Sequence, residues 1–360
     1  MMINNNNTTL ETCVSNVTYD RLFHISNSIW HVVGFFGVLF GIPGHILQII
    51  ISLNKTSRKE PTSLYSIAIS VVEIVFLLGL FWLWCVNMSL IKTDPREVLS
   101  CGIFYNIIVG SGSLSHLYLA SLSIDRSIII LDPTRYRLIV TRSHVILRIV
   151  LITFIITLLL IPHHFYFHYV PRVTIFLCDF NPSLYYRRIR IWTFIHAILL
   201  VGIPSLIVCI CSAILLHNRC KHKRIYKNNF SANARRMHRH SILLFVFSLG
   251  LFLSLLPGCL LEIFIVHDRF FYDTIYCSIR WKFYRILPNF FLTLSSITYS
   301  NKFYIHLTIS TTFRNGFIQL ITCKSNQKST KSIKMSETNN NEQYLLSPIN
   351  QTKTIDIYQK

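Results

Sequence analysis

Ionisable side chains inside the long apolar stretches of this sequence are nearly limited to five. They are Glu73 in ISVVEIVFLLG, Asp125 and Arg126 in SLSIDRSIIIL, Arg148 in HVILRIVLI and Glu262 in LLEIFIV. A charged group in hydrocarbon is costly, so it pairs, reaches the interface or faces a protein interior, and it marks a functional site by default. The chemistry open to such residues is charge pairing that a ligand or a conformational change can make and break. Catalysis is not indicated. No paired carboxylates, nucleophile–base arrangement or phosphate loop accompanies them, so neither an enzyme nor a cofactor is expected. His163, His164 and His168 lie close together, but histidine at a membrane interface accounts for them, and no metal is expected. Cys101 precedes Arg126 by 25 residues, about 37 Å of helix. A cysteine and the Asp125–Arg126 pair therefore stand at opposite ends of one segment.

The elements that must position these residues are membrane spans. Of 360 residues, 52% are hydrophobic and only 14% charged, against about 25% charged in soluble domains. The apolar residues cluster in runs of roughly 20 or more, the length that crosses a hydrocarbon core as helix. The pattern predicts seven spans: Trp30–Leu53, Ser63–Cys85, Cys101–Leu131, His144–Pro162, Arg190–Leu216, Ser241–Val266 and Lys282–Tyr304. The fold class is thus all-α, a seven-transmembrane helix bundle. It is preceded by a tail over residues 1–29 and occupies 30–304. A short amphipathic helix follows within 305–323, with Phe313, Phe317, Leu320 and Ile321 on one face, suited to lying along the membrane surface. Residues 324–360 are polar and expected to be disordered, having little to bury.

The formal charge of +20 is a topology signal rather than a nucleic-acid footprint. Basic residues gather in the first, third and fifth connections and in the C-terminal tail, the fifth being densest with Arg219, Lys221, Lys223, Arg224, Lys227, Arg235, Arg236 and Arg239. Short basic loops stay in the cytosol, so the N-terminus is expected outside and the C-terminus inside. Attraction of these loops to anionic inner-leaflet lipid adds to this. No cleavable signal peptide is expected, and the first span serves as the targeting signal. Acceptor sequons at Asn6, Asn7, Asn16 and Asn87 fall on the outer side and are glycosylation candidates. Cys101, Cys178, Cys13 and Cys277 lie on or near that oxidising side, with a Cys13–Cys277 bridge as a weaker possibility. Cys323 ends the amphipathic helix, where palmitoylation and an unmodified thiol are equally open.

The seven spans with Cys101, Asp125, Arg126, Pro133 and Cys178 at these spacings resemble the rhodopsin-like family of G-protein-coupled receptors over residues 30–323. The resemblance implies a Cys101–Cys178 disulfide across the mouth of the bundle and an inner switch at Asp125 and Arg126. It also implies kinking prolines at Pro204 and Pro257 and a terminal tyrosine at Tyr304. Glu73 takes the place of the family's buried Asp, beside Ser115, where the family holds sodium; the longer acid leaves a structural role equally open. The departures are several. Ser127 replaces the tyrosine after Asp-Arg, and Gly44-His45 stands for Gly-Asn. Leu255 replaces the switch tryptophan, and the seventh span ends YSNKFY with no proline.

By the same resemblance a pocket opens outward between the third, fifth, sixth and seventh spans, with Ile108, Trp192, His196 and Glu262 as candidate lining residues. Ile108 stands where amine receptors carry an Asp. Lysines of the seventh span lie only at its ends, Lys282 and Lys302, unlike a photoreceptor. A short peptide is the favoured ligand. A chemosensory small molecule, or a channel or transporter of seven spans, stays open. A heterotrimeric G protein, the bilayer and arrestin-like proteins at a Ser/Thr-rich tail are the expected partners, at the plasma membrane.

Overall fold

The computed structural model describes residues 17–54, 60–131, 140–169, 178–180, 186–225, 246, 249–250, 253, 260, 279–309 and 311–322. The chain divides into two units, Met1–Gly316 and Phe317–Lys360. Of the second, residues 317–322 are described, and they form a helix end with Ile318 and Leu320 exposed.

Buried apolar chain without water must satisfy its backbone internally, which makes helices of these runs. In chain order they are α1 (Val17–Leu53), α2 (Ser63–Asn87), α3 (Pro95–Val98), α4 (Cys101–Leu131) and α5 (Arg142–Tyr166). Strands β1 (Phe167–Tyr169) and β2 (Cys178–Phe180) follow, then α6 (Tyr186–Ala197), a π-helical stretch Ile198–Gly202 and α7 (Ile203–Ile225). The described chain closes with α8 (Ile279–Ser300), α9 (Lys302–Ile309) and α10 (Thr311–Ile321). Among the described residues, five helical segments are long and apolar enough to cross a membrane.

The bounds of α4 coincide with the predicted third span, whereas α1 begins at Val17 rather than Trp30. The fifth predicted span falls in three consecutive helical pieces. Pro204 has no amide to give, and just before it the Ile203 amide bonds the Ile198 carbonyl five residues back. That widened turn absorbs the lost helical bond. The seventh predicted span is α8 and α9, separated by Asn301. Most of the predicted sixth span, with Pro257, Leu255 and Glu262, lies outside the described residues. The hairpin β1–β2, with Tyr169 opposite Cys178, is an addition to the all-helical expectation.

Helix α4 is the hub of the first unit, packing against α2, α3, α5, α7 and β1. Tyr65, Ile69, Phe76, Leu77 and Leu80 of α2 meet Tyr118 and Leu119 of α4 and Tyr299 of α8 in the core. Large apolar side chains such as Leu147, Val150, Phe154 and Leu158 of α5 point outward, as lipid-facing residues do. Since lipid is as apolar as leucine, helix association here depends on close packing and polar contacts. Gly37 and Gly41 supply the close packing between α1 and α8. A Cβ at Gly37 would collide with the Ser296 hydroxyl, and one at Gly41 would stand 2.7 Å from Leu77 Cδ1 and 2.9 Å from Ser300 Oγ. The Ser300 hydroxyl donates to the Gly37 carbonyl at 2.6 Å across this seam.

Gly37→Val and Gly41→Val are therefore expected to destabilise the fold by about 1–3 kcal/mol each, the usual cost of overpacking. Leu39→Val, at an outward-facing position of the same helix, is expected to change little. Thermal unfolding of the purified protein in detergent checks this, and equal effects at all three sites would contradict it.

Candidate functional site

Near the C-terminal end of α4, Asp125 is fully buried and Arg148 of α5 donates to its Oδ1 at 2.5 Å. Tyr65 of α2 lies beside the same pair and interacts with both charges. Arg126, adjacent in sequence, donates to the Thr62 hydroxyl at 3.0 Å, just before α2 begins. Its charge is also felt by Asp125. The sequence expectation of an Asp125–Arg126 switch is thus modified: the salt bridge seen for Asp125 crosses to α5, and the hydrogen bond seen for Arg126 crosses toward α2. Ser127, where the resemblance implies a tyrosine, turns its hydroxyl back to the Ser123 carbonyl at 3.0 Å. Tyr118 and Thr153 add a 2.6 Å bond between α4 and α5 one level further in.

Midway through the bundle five helices contribute to one polar cluster. Glu73 of α2 is 0% exposed and Lys302, the first residue of α9, is 2% exposed. The Lys302 ammonium donates to Glu73 Oε1, as does the Ser115 hydroxyl of α4. Lys302 also reaches Ser115 Oγ at 3.0 Å. His45 of α1 brings Nε2 to 2.9 Å from the Tyr299 carbonyl and 3.5 Å from Glu73 Oε2. The Tyr299 ring lies 5.5 Å from the ammonium.

A sodium ion, which the resemblance implies beside Glu73 and Ser115, does not fit these side chains. Oε1 of the carboxylate and the Ser115 hydroxyl already bond to Lys302, and Oε2, which has no hydrogen-bond partner among the described residues, faces His45 Nε2 at 3.5 Å. Two unit charges about 4 Å apart repel by about 4 kcal/mol at an effective dielectric of 20. Lys302 and His45 were absent from the sequence expectation for this pocket. Lys302 was placed at a span end, where lysines usually reach for the interface.

Toward the other end, Cys101 in the first turn of α4 is disulfide-bonded. The strand β1, whose partner β2 starts at Cys178, packs against α4. Ile108 is partly buried against the α2 side of the core, close to Gly79. His116 of α4 and Ser205 of α7 are 3.2 Å apart, Nε2 to Oγ. His196 is buried and Trp192 half-buried on α6. Tyr304 on α9 is exposed at its edge and donates to the Phe40 carbonyl at 3.2 Å. Asn87 is exposed at the end of α2. In the following loop Asp94 caps α3 and takes Arg96 in a two-pronged pair at 2.9 and 2.7 Å. Burial acts to raise that carboxyl, but the hydrogen bonds and charge of Arg96 outweigh it and hold it below its ordinary value. Pro133, Pro257, Glu262, Cys13, Cys277, Cys323, Asn6, Asn7 and Asn16 lie outside the described residues.

Residues 44–304 match the family described as 7 transmembrane receptor (rhodopsin family). The chain belongs to that family. Comparison with curated proteins gives no match. The match runs from Gly44, beside His45, to Tyr304, so every residue of the Glu73 cluster and of the Asp125–Arg148 pair falls inside it. As a rhodopsin-family receptor the chain is a multi-pass membrane protein. Its activation machinery has to be read from the residues it carries, because Ser127, His45 and Lys302 depart from the expected pattern.

Breaking a buried ion pair from one side leaves a charge without compensation, at about 3–5 kcal/mol for a fully buried pair. Arg148 is 30% exposed, so Arg148→Ala is expected at or below the low end of that range. Adding Asp125→Asn to that variant should recover part of the loss. Unfolding midpoints of the four proteins form the cycle, and strictly additive losses would show that the two residues do not act as a pair.

Proposed function

We propose that the receptor binds an extracellular ligand, with a short peptide favoured, and activates a heterotrimeric G protein. The observation that carries this reading is the α4 helix. Its disulfide-bonded Cys101 stands at one end and Arg126 at the other, 25 residues later, in a chain of the rhodopsin family. Cys178 is the proposed partner of Cys101, supported by the packing of the β1–β2 hairpin on α4. That bond would hold the second outer loop across the ligand entrance. The N-terminus is outside in this reading, as the basic inner loops require, and Asn87, exposed next to the Asp94 loop, is available for glycosylation. Cys323 anchoring and arrestin-like binding to the tail belong to the same proposal.

Mechanism follows from population shift. Agonist moves the resting–active equilibrium only by its difference in affinity for the two states. The inner end of α4 is where such a shift has to be read. Arg126 leaves its hydrogen bond to Thr62 and meets a partner helix in a groove between the inner helix ends. Aromatic and basic residues in the outer loops, as in HHFYFHYVPR, suit the backbone and aromatic ends of a peptide. Glu262 is the proposed counter-ion for an amine or arginine of that peptide.

Two measurements test this. Once a screen of synthetic peptides, read by G-protein dissociation in cells, has identified an agonist, Arg126→Ala should reach the surface, bind it and fail to signal. Normal surface-normalised signalling by Arg126→Ala would end the proposal. Glu262→Gln should shift the response to a basic agonist to at least tenfold higher concentration, about 1.4 kcal/mol, with surface level preserved. An unmoved curve would remove Glu262 from the ligand site.

A further inference from the structure

The side chains around Glu73 disagree with the ion that the family would bring there, and the disagreement has a simple cause. We propose that Lys302 is the resident cation of the Glu73 pocket, so that the receptor takes no sodium there, and that truncating Lys302 turns the pocket into a sodium site. This goes beyond the ligand and G-protein reading and does not depend on it.

Three observations support the proposal. The first is occupancy of oxygens. Hard cations are held by several oxygen ligands, and of the three oxygens that Glu73 and Ser115 offer two are in use. The third, Glu73 Oε2, has no hydrogen-bond partner among the described residues and faces His45 Nε2 at 3.5 Å. Glu73 Oε1 accepts from both the Lys302 ammonium and the Ser115 hydroxyl, while Ser115 Oγ also accepts from Lys302 at 3.0 Å. The second is charge. Glu73 and Lys302 sum to zero whichever of them holds the proton, so the pocket has no negative charge left to attract an ion. The third is enclosure. Glu73, Ser115, His45 and Lys302 are all buried, and the lysine is covalently part of the chain, so it cannot be washed out or exchanged as a free ion can.

The converse follows from the same geometry. Lys302→Ala leaves a carboxylate in the interior facing the Ser115 hydroxyl, with the volume of the missing side chain beside it. An isolated buried carboxylate is strongly disfavoured and must gain a proton or a cation. Mildly alkaline buffer disfavours the proton and leaves the cation. Sodium is small enough for the vacated space, and Glu73 with Ser115 supplies its first oxygens.

The experiment uses the purified full-length receptor in detergent. Its unfolding midpoint is followed as sodium chloride replaces choline chloride at constant ionic strength and mildly alkaline pH. The wild-type midpoint should be the same in both salts. That of Lys302→Ala should rise with sodium and level off, as binding to the folded state alone requires. Lys302→Ala combined with Glu73→Gln should lose the rise. A wild-type response to sodium that Glu73→Gln abolishes overturns the proposal, and so does a Lys302→Ala protein indifferent to sodium. If the alanine variant does not fold, Lys302→Asn, which removes the charge, vacates the outer part of the side chain and keeps a polar group in the pocket, is read by the same two criteria. No signalling enters the readout, so failure here is distinguishable from failure of the receptor reading.

Discussion

A carboxylate in the middle of a helix bundle must be met by a donor from another helix, and the way Lys302 meets Glu73 constrains how α1, α2, α4 and α9 can pack. A buried ion pair adds little net stability, because desolvating both charges cancels much of their attraction. What the pair supplies is register. Sliding α9 by one residue would swing Lys302 by about 100° around the helix, given 3.6 residues per turn, and leave two charges unmatched. The apolar contacts of Phe76 with Tyr299, 4.3 Å between ring centres, tolerate small displacements that the charges do not.

The same logic recurs at each level of the bundle. Gln48 of α1 donates to Ser66 of α2 at 2.9 Å, and the Trp84 indole of α2 donates to the His31 carbonyl of α1 at 2.8 Å. Such bonds are individually modest in membrane proteins, roughly 0.6 kcal/mol on average. Lipid cannot replace them with hydrogen bonds of its own, so misaligned packings leave them unmade. The apolar outer faces carry little of this information. Leu147, Val150 and Phe154 need only hydrocarbon, which accepts any rotation that keeps polar groups inside.

This division explains what was legible in the sequence. Hydropathy located the spans, and the α4 ends at Cys101 and Leu131 were readable because a polar stretch closing on Ser100 precedes the mainly apolar segment and Asp132-Pro133 follows it. The helical start at Val17 was not, since Thr18, Tyr19, Asp20 and Arg21 break the hydropathy signal without breaking the helix. Residues in span interiors, such as Glu73 and Asp125, announced themselves by charge alone. Their partners did not, because pairing is a tertiary property. Arg148 was visible as an in-span base, but nothing along the chain links it to Asp125 across 23 residues. One signal for Lys302 was available. Glu73 had no base in its own span to pair with, and Lys302 stood at the end of the seventh span, two residues before Tyr304, with no acid nearby in sequence.

Three departures from the family pattern turn out to be one in physical terms. Glu73 is a methylene longer than the usual Asp, His45 stands in place of Asn, and Lys302 lies in a seventh-span ending that has lost its proline. They are separated by up to 257 residues in sequence yet meet within hydrogen-bonding or ion-pair range of one carboxylate. Introduced singly, the lysine would face a carboxylate one methylene shorter, in a site adapted to a mobile ion. The histidine extends to the Tyr299 carbonyl at 2.9 Å, two residues before Asn301, where α8 gives way to α9. At that break the Asn301 amide still bonds the Ile297 carbonyl and the Ile305 amide the Asn301 carbonyl. Proline at 301 would delete the first of these bonds. Without it the helix carries its hydrogen bonding through the break, and the ammonium of Lys302, rather than a proline kink and a free ion, sets where the end of this helix sits against α2 and α4.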